Sequence, residues 1–304
     1  MNPVAGSCTA EDVRQALQRQ FTDSEITWDI YETAKGDSLA DLVREAAGKG
    51  YDLIVAAGGD GTVSAVANGL VGTETPLGII PLGTANVLAR ELGIPVDLLG
   101  ACELLGDPKC VAEIDAMCVE GHCYFTQVGV GIDSMMIRDT KREDKRRYGR
   151  IAYLWTASTR LIGFQPRRFE LEVDDKRIRQ RASQVVIANS GILGQPPFRW
   201  GPDIHPDDGL LDVCVVRARN LWNYFTLALL VIVGRHTMST NTRYLKAQRR
   251  ISIASEQPLP VQADGEIIGE TPTVVEVKPH ALRVLVPEPD VEVGALETQA
   301  SQGS

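Results

Sequence analysis

Gly58-Gly59-Asp60-Gly61-Thr62 follows an apolar run at 53–57 and opens a helix-compatible stretch that continues through Val63 and Ser64. Glycines let a backbone approach phosphate oxygens closely, and the amides and dipole of a helix start attract an anion. In open α/β sheets, ligands bind beyond the carboxyl ends of the strands. An acid is electrostatically wrong for bare phosphate. Asp60 suits a metal ion, or a substrate hydroxyl that gives up a hydrogen bond or a proton. The competing reading is a tight turn with Asp60 as helix N-cap. No G-x-x-x-x-G-K-S/T occurs, and G-x-G-x-x-G fails where Ser64 replaces the third glycine. A second loop, Pro81-Leu82-Gly83-Thr84-Ala85-Asn86, repeats the geometry after the next apolar run. The Thr84 hydroxyl and the bare Gly83 backbone would form a second wall of one crevice. Asp207-Asp208-Gly209-Leu210-Leu211-Asp212 reads as a D-G turn feeding a strand. Asp264-Gly265-Glu266 is either a D-G hairpin or a pair of carboxylates delivered as a general base.

These loops need elements to hold them. A chain of 304 residues is read as roughly two domains and can bury a core without disulfides or metal. Thr9-x-x-Asp12 and Ser38-x-x-Asp41 look like helix starts, with apolar residues following at helical spacing. Residues 26–31 alternate like a strand. Strand and helix signals then alternate to about residue 110, which predicts a parallel sheet covered on both faces, a doubly wound Rossmann-like domain. From 111 to 286 most segments alternate with period two, including 169–173, 184–188 and 211–216. This half should be an antiparallel sandwich, interrupted by helices near 145–161 and 221–234. Residues 287–304 carry Glu288, Asp290, Glu292 and Glu297 without a base and read as a polar tail that need not fold.

Composition excludes several classes. The net charge of −9 argues against a generic nucleic-acid binder. The six cysteines hold no C-x-x-C pair, so reduced thiols are expected and a zinc site or disulfide framework is not. No signal peptide is visible at the N-terminus, and a cytoplasmic location is the expectation. The longest apolar run, 225–233, is about half of the ~20 residues that a spanning helix needs. It reads first as a core helix. The alternative is an interfacial element flanked by Trp222 and Tyr224.

In order along the chain stand Asn2-Pro3-Val4-Ala5-Gly6, the two glycine loops, Leu92-Gly93-Ile94-Pro95, the Asp207–Asp212 motif and Asp264-Gly265-Glu266. This ordered set resembles the diacylglycerol kinase catalytic-domain family, in its bacterial soluble lipid-kinase branch, over about residues 2–286. The resemblance implies an α/β domain followed by a β-sandwich, with the active site in the cleft between them. It implies ATP phosphates on Gly58, Gly59, Asp60, Gly61, Thr62, Val63, Ser64, Gly83 and Thr84, with Thr33 near the nucleotide. It implies Mg2+ on Asp208 and the carbonyls of His205 and Leu210. It makes Glu266 the proton acceptor and Asp264 its partner, and Asp60, read above from its place in the glycine loop, would be a third catalytic acid. The acceptor would be a lipid hydroxyl, of diacylglycerol or a related lipid. Two departures stand out. Ser64-Ala65 replaces the family's Asn-Glu after the first loop, and Met1 directly precedes a motif before which the family has a strand. The latter predicts either a start further upstream or a sheet with one strand fewer.

The run 138–150 carries seven bases and three acids. It is either a solvated helix face or a peripheral contact with anionic membrane, where each base near the surface is worth roughly 1 kcal/mol. Two other functions remain open at this point. One is a NAD kinase-like enzyme, which shares G-G-D-G-T. The other is an inactive lipid- or nucleotide-binding regulator.

Overall fold

The computed structural model describes residues 1, 8–34, 36–106, 110–139, 166–194, 198–201 and 203–288. The N-P-x-x-G motif, most of the 138–150 basic run, the helix expected at 145–161 and nearly all of the acidic tail lie outside them.

The N-terminal part holds α1 (Ala10–Phe21), α2 (Leu39–Gly48), β1 (Ile54–Gly58), α3 (Asp60–Leu70), β2 (Leu77–Pro81), α4 (Val87–Glu91) and α5 (Leu98–Gly106). The Thr9 hydroxyl accepts the Asp12 N–H, and the Asp12 carboxylate accepts the Thr9 N–H, so the capping box closes as read. β1 and β2 are parallel and covered on both faces. Leu77 and Ile79 pack under α3 with Val63, Val66 and Leu70. Ala57 and Ile80 pack on the other face against Val13 and Leu17 of α1 and Leu105 of α5. Each such buried Val, Leu or Ile is worth about 1.5–3 kcal/mol, and this holds the strand ends still. Residues 26–31, read as a strand, pair in no ladder among the described residues. The Met1 amine donates to the Tyr31 carbonyl, and the Thr33 N–H donates to the Met1 carbonyl.

The C-terminal part holds β3 (Cys110–Val119), β4 (His122–Tyr124), β5 (Gln127–Gly131), α6 (Ile132–Asp139), β6 (Arg167–Val173), β7 (Lys176–Ala182), β8 (Gln184–Ala188), β9 (Leu211–Val216), α7 (Leu221–Ile232), β10 (Thr242–Ala247), β11 (Arg250–Ser255), β12 (Pro260–Ala263), β13 (Glu266–Glu270) and β14 (Thr273–Val286). It is the predicted antiparallel sandwich. A six-stranded sheet runs β10-β9-β8-β5-β12-β13. Val128, Val185, Ile187, Leu211, Val213 and Val261 from that sheet meet Phe169, Leu171, Ile251 and Val275 from the facing one. The facing sheet is shared between the two parts. Its path runs β1-β2-β14-β11-β6-β7, and β3 pairs with β14. Val284 of β14 lies beside Leu77 of β2, so the chain's last long strand bridges the parts.

Three readings need correction. β8 and β9 are buried on both faces, because Val186, Ala188, Cys214 and Val216 form a second cluster on the outer side of the sheet. The 225–233 run does form a helix, but α7 covers that outer cluster and none of its described side chains is fully buried. Cys118 and Cys123 are not free thiols. They oppose each other across the β3–β4 hairpin, 4.1 Å apart at Cα, and form a disulfide. Hairpin register brought them together, which spacing alone does not reveal. Cys8, Cys102, Cys110 and Cys214 are free.

Candidate active site

The two glycine loops interlock at the carboxyl ends of β1 and β2. The Leu82 N–H donates to the Gly58 carbonyl at 2.9 Å. A Cβ on Gly83 would sit 2.7 Å from the Gly59 Cα, and one on Gly59 would sit 3.3 Å from the Gly83 Cα. The backbones therefore meet only because both residues are glycine. Asp60 fastens the pair. It stands in the first turn of α3, yet its carboxylate accepts the Asn86 N–H at 2.9 Å and the Val87 N–H at 2.6 Å. It caps α4, the neighbouring helix, and Gly59 is the N-cap of its own helix. Burial holds the Asp60 carboxyl above the usual carboxylate range against the pull of those amides, and the charge of Asp264 adds to the rise. Asn86 is left-handed, and its side chain accepts the Gly83 N–H and donates to the Gly83 carbonyl. Gly83 is therefore committed inward. Gly61 and Thr84 are exposed at the mouth. The Thr33 N–H donates to the Met1 carbonyl, and no hydrogen bond among the described residues joins Thr33 to the loops.

The β12–β13 hairpin closes the other side. Asp264 and Gly265 take positive φ at its turn. The Asp264 carboxylate accepts the N–H groups of Phe125, Thr126 and Gln127 and the Thr126 hydroxyl. The Ser64 hydroxyl of α3 also donates to it, at 3.4 Å. Asp264 thus anchors the β4–β5 connection and touches the first glycine loop's helix. Glu266, two residues on, is exposed. Tyr124 stands beside this turn, its phenol pushed up by burial and then by the charges of Asp264 and Glu266. Hydrogen bonds to a charged acceptor are worth about 1.5–3 kcal/mol each, and deletion strands the donors. Asp264→Ala should lower unfolding stability by roughly 2–4 kcal/mol, read as a shifted urea midpoint at unchanged slope.

Behind the turn, Gln262 accepts the Gly265 N–H and donates to Asp133 Oδ2 at 3.1 Å. Burial raises the Asp133 carboxyl from 3.8 to about 6, against the Ser134 N–H and Gln262 amide that favour the anion. The folded state therefore holds its proton to higher pH than the unfolded state. That contribution to stability is full below about pH 4 and is lost as pH rises toward about 6. Asp133→Asn should flatten this part of the melting-temperature profile. An unchanged profile would place the titration elsewhere.

No hydrogen bond among the described residues joins the 205–212 loop to this turn. Buried Asp115 organises it, accepting the Gly209 and His280 N–H groups while its own N–H donates to the Pro206 carbonyl. Asp208 accepts the Leu210 N–H. Lys246 Nζ stands 3.5 Å from Asp208 Oδ2 and 3.9 Å from Asp212 Oδ2. Carboxylate and carbonyl oxygens are of the right type for a hard cation. Among the described residues, however, no group of three or more His, Cys, Asp or Glu could hold a metal. Lys246 already stands opposite the two carboxylates.

Residues 1–119 match the diacylglycerol kinase catalytic domain, and residues 126–286 match the YegS C-terminal NAD kinase beta sandwich-like domain. This chain belongs to the diacylglycerol kinase catalytic-domain family. A protein named "Diacylglycerol kinase" from Bacillus subtilis is 28% identical over 89% of each chain. One named "Probable lipid kinase YegS-like" from Pseudomonas syringae is 32% identical over 91% of this chain and 89% of that protein. A crystal structure of a diacylglycerol kinase from Bacillus anthracis superposes with a TM-score of 0.75, at 26% identity, covering 94% of this chain and 95% of that one. The chain is thus a member of a lipid kinase family, and kinases of this kind use a nucleotide. The family's Asn-Glu is Ser64-Ala65 here, and Ser64 keeps a donor on Asp264. Asn68, one turn on, donates to the Cys123 carbonyl and accepts its N–H, adding a second tie between the parts. Glu91 of α4 makes a third. Its carboxylate accepts from the Ser190 hydroxyl, the Ile192 N–H and Arg199. Asn68, Glu91, Asp115 and Gln262 were not anticipated, because a single polar residue inside an apolar pattern carries no signal of its partner.

Proposed function

We propose that this protein is an ATP-dependent kinase that phosphorylates a lipid hydroxyl, of diacylglycerol or a related lipid. The observation that carries this is the Ser64–Asp264 contact, which brings the Asp264-Gly265-Glu266 turn to the helix of the glycine loop. Residues 1–110 would bind the nucleotide and 111–286 the acceptor. Phosphates would rest on Gly58, Gly59, Gly61, Thr62, Val63, Ser64 and Thr84, with Thr33 toward the nucleoside. Gly83 and Asp60 would shape that cradle from behind. The acceptor oxygen bonds to the γ-phosphorus, the β–γ bridging bond breaks and ADP leaves with its electron pair. The hydroxyl proton passes to Glu266, which is exposed and two residues from the anchored Asp264. Asp264 holds that turn in place.

Mg2+ is proposed on Asp208 with the carbonyls of His205 and Leu210, sharing the loop's charge with Lys246. Such an ion would raise the melting temperature of nucleotide-free protein, and adding a chelator should lower it. An unchanged melt would remove it from this loop.

The test of the whole reading is purified protein with radiolabelled ATP and a panel of diacylglycerol, phosphatidylglycerol, sphingoid bases and NAD. Label in a lipid supports the proposal. Label in NAD alone, or in nothing, overturns it.

A further inference from the structure

α7 is the largest feature that the kinase reading leaves unused. Its twelve residues carry no charge. Tyr224 and Leu227 pack inward on the outer cluster of the six-stranded sheet. Trp222, Phe225, Leu229, Ile232 and Val233 face outward, at 69%, 53%, 47%, 62% and 62% exposure. Their spacing of three, four, three and one puts them on one stripe of a helix. The Trp222 and Phe225 rings lie 5.4 Å apart. Met238, just beyond, is 82% exposed. A contiguous apolar stripe of this kind marks a surface that something covers.

The surrounding charge says what. From 213 to 255 the chain has seven bases (Arg217, Arg219, Arg235, Arg243, Lys246, Arg249 and Arg250) and no acid, in a protein of net charge −9. Arg219 and Arg235 bracket the helix and are exposed, as is Arg243. Lys246, Arg249 and Arg250 have acidic partners. Arg219, Arg235 and Arg243 are in no salt bridge among the described residues. At about 1.5 Å per residue, α7 is also far too short to cross a bilayer of about 30 Å. No helix among the described residues is long and apolar enough to do so.

We propose that α7 lies flat in the surface of an anionic bilayer. The Trp222–Val233 stripe enters the acyl boundary, and Arg219 and Arg235 meet lipid phosphates. This rests on the lipid-kinase reading for its purpose, and it gives the enzyme a face toward its substrate. The layer under α7 also reaches the site. Trp200 belongs to that cluster and donates to the Gln127 side chain, and the Gln127 N–H donates to Asp264.

The test uses the full chain without nucleotide, so it does not depend on phosphoryl transfer. Vesicles of phosphatidylcholine, with or without phosphatidylglycerol, are floated with the protein. Binding should require phosphatidylglycerol and weaken with salt. Acyl chains brominated near the headgroup should quench fluorescence, and Trp222→Phe should remove most of that quenching. Phe225→Ser, Leu229→Ser and Ile232→Ser combined should weaken vesicle binding by at least about tenfold, because interfacial affinity scales with buried apolar area. The melting temperature should not fall, since these side chains face outward. Vesicle binding unaffected by the triple change would assign the contact to another surface, such as the 138–150 run, and overturn the proposal. So would a wild-type dimer that the triple change makes monomeric, because a second copy would then cover the stripe. Wild-type protein that fails to dock on anionic vesicles yet transfers phosphate to detergent-dispersed lipid would sink this inference and leave the kinase. Intact docking without transfer to any lipid would do the reverse.

Discussion

Asp60→Ala is expected to lower kcat/KM for ATP by at least about a hundredfold while the protein stays folded. The carboxylate joins two loops by accepting the Asn86 and Val87 amides, 26 and 27 residues away. Without it, those amides turn outward and the Thr84 wall loses its position relative to Gly59 and Gly61. A displacement of about 1 Å in such a frame can cost on the order of a hundredfold in rate. The structural loss is that of a helix cap, about 1–2 kcal/mol, against a typical stability of 5–15 kcal/mol for a domain (roughly). The Gly58–Leu82 bond and the paired glycines remain to hold the strand ends. Asp60→Asn should fall between, since a carboxamide oxygen can accept from one amide while its NH2 faces the other. Steady-state kinetics with a circular-dichroism melt decide the matter. Near wild-type turnover for Asp60→Ala would reduce the motif to a turn.

Glu266→Gln is expected to lower kcat by about 10²–10⁴, the usual contribution of general base catalysis, with ATP affinity nearly unchanged. A lipid hydroxyl is too weak an acid for a carboxylate to deprotonate before reaction, so the proton must move as the new P–O bond forms. The base contacts the acceptor, and its loss should appear in kcat and not in nucleotide binding. Glu266 is exposed at the start of β13, so the variant should melt like wild type. Asp264 should behave differently. Its carboxylate accepts three backbone amides and two hydroxyls, so Asp264→Asn should lose activity and melting temperature together. Isothermal titration of ATP beside single-turnover rates separates the cases. Unchanged kcat in Glu266→Gln would move the base elsewhere. A large loss of ATP affinity would put this turn on the nucleotide side.

The parts readable in the chain alone are those written over short separations. The apolar run at 53–57, the glycines after it and the helical spacing beyond sit within about twenty residues. Local backbone preference and burial period therefore specify them without the rest of the protein. The same holds for the Thr9 capping box, the D-G turns and the shift to period two after residue 110. Tertiary structure decided which groups meet. Asp60 reads as an N-cap or a ligand, and only the packing of α3 beside α4 hands it the amides of Asn86 and Val87. Asp264 finds its donors 137 to 139 residues back, across strands whose register no local pattern encodes. Cys118 and Cys123 pair because a hairpin set them opposite each other. The apolar run at 225–233 looks like core until the sheet beneath it is in place. β8 and β9 then offer only their outer face, and a helix laid on that face must leave its other side uncovered. Hydrophobicity says how much surface a segment would bury, whereas only the assembled fold says how much is left to bury it against.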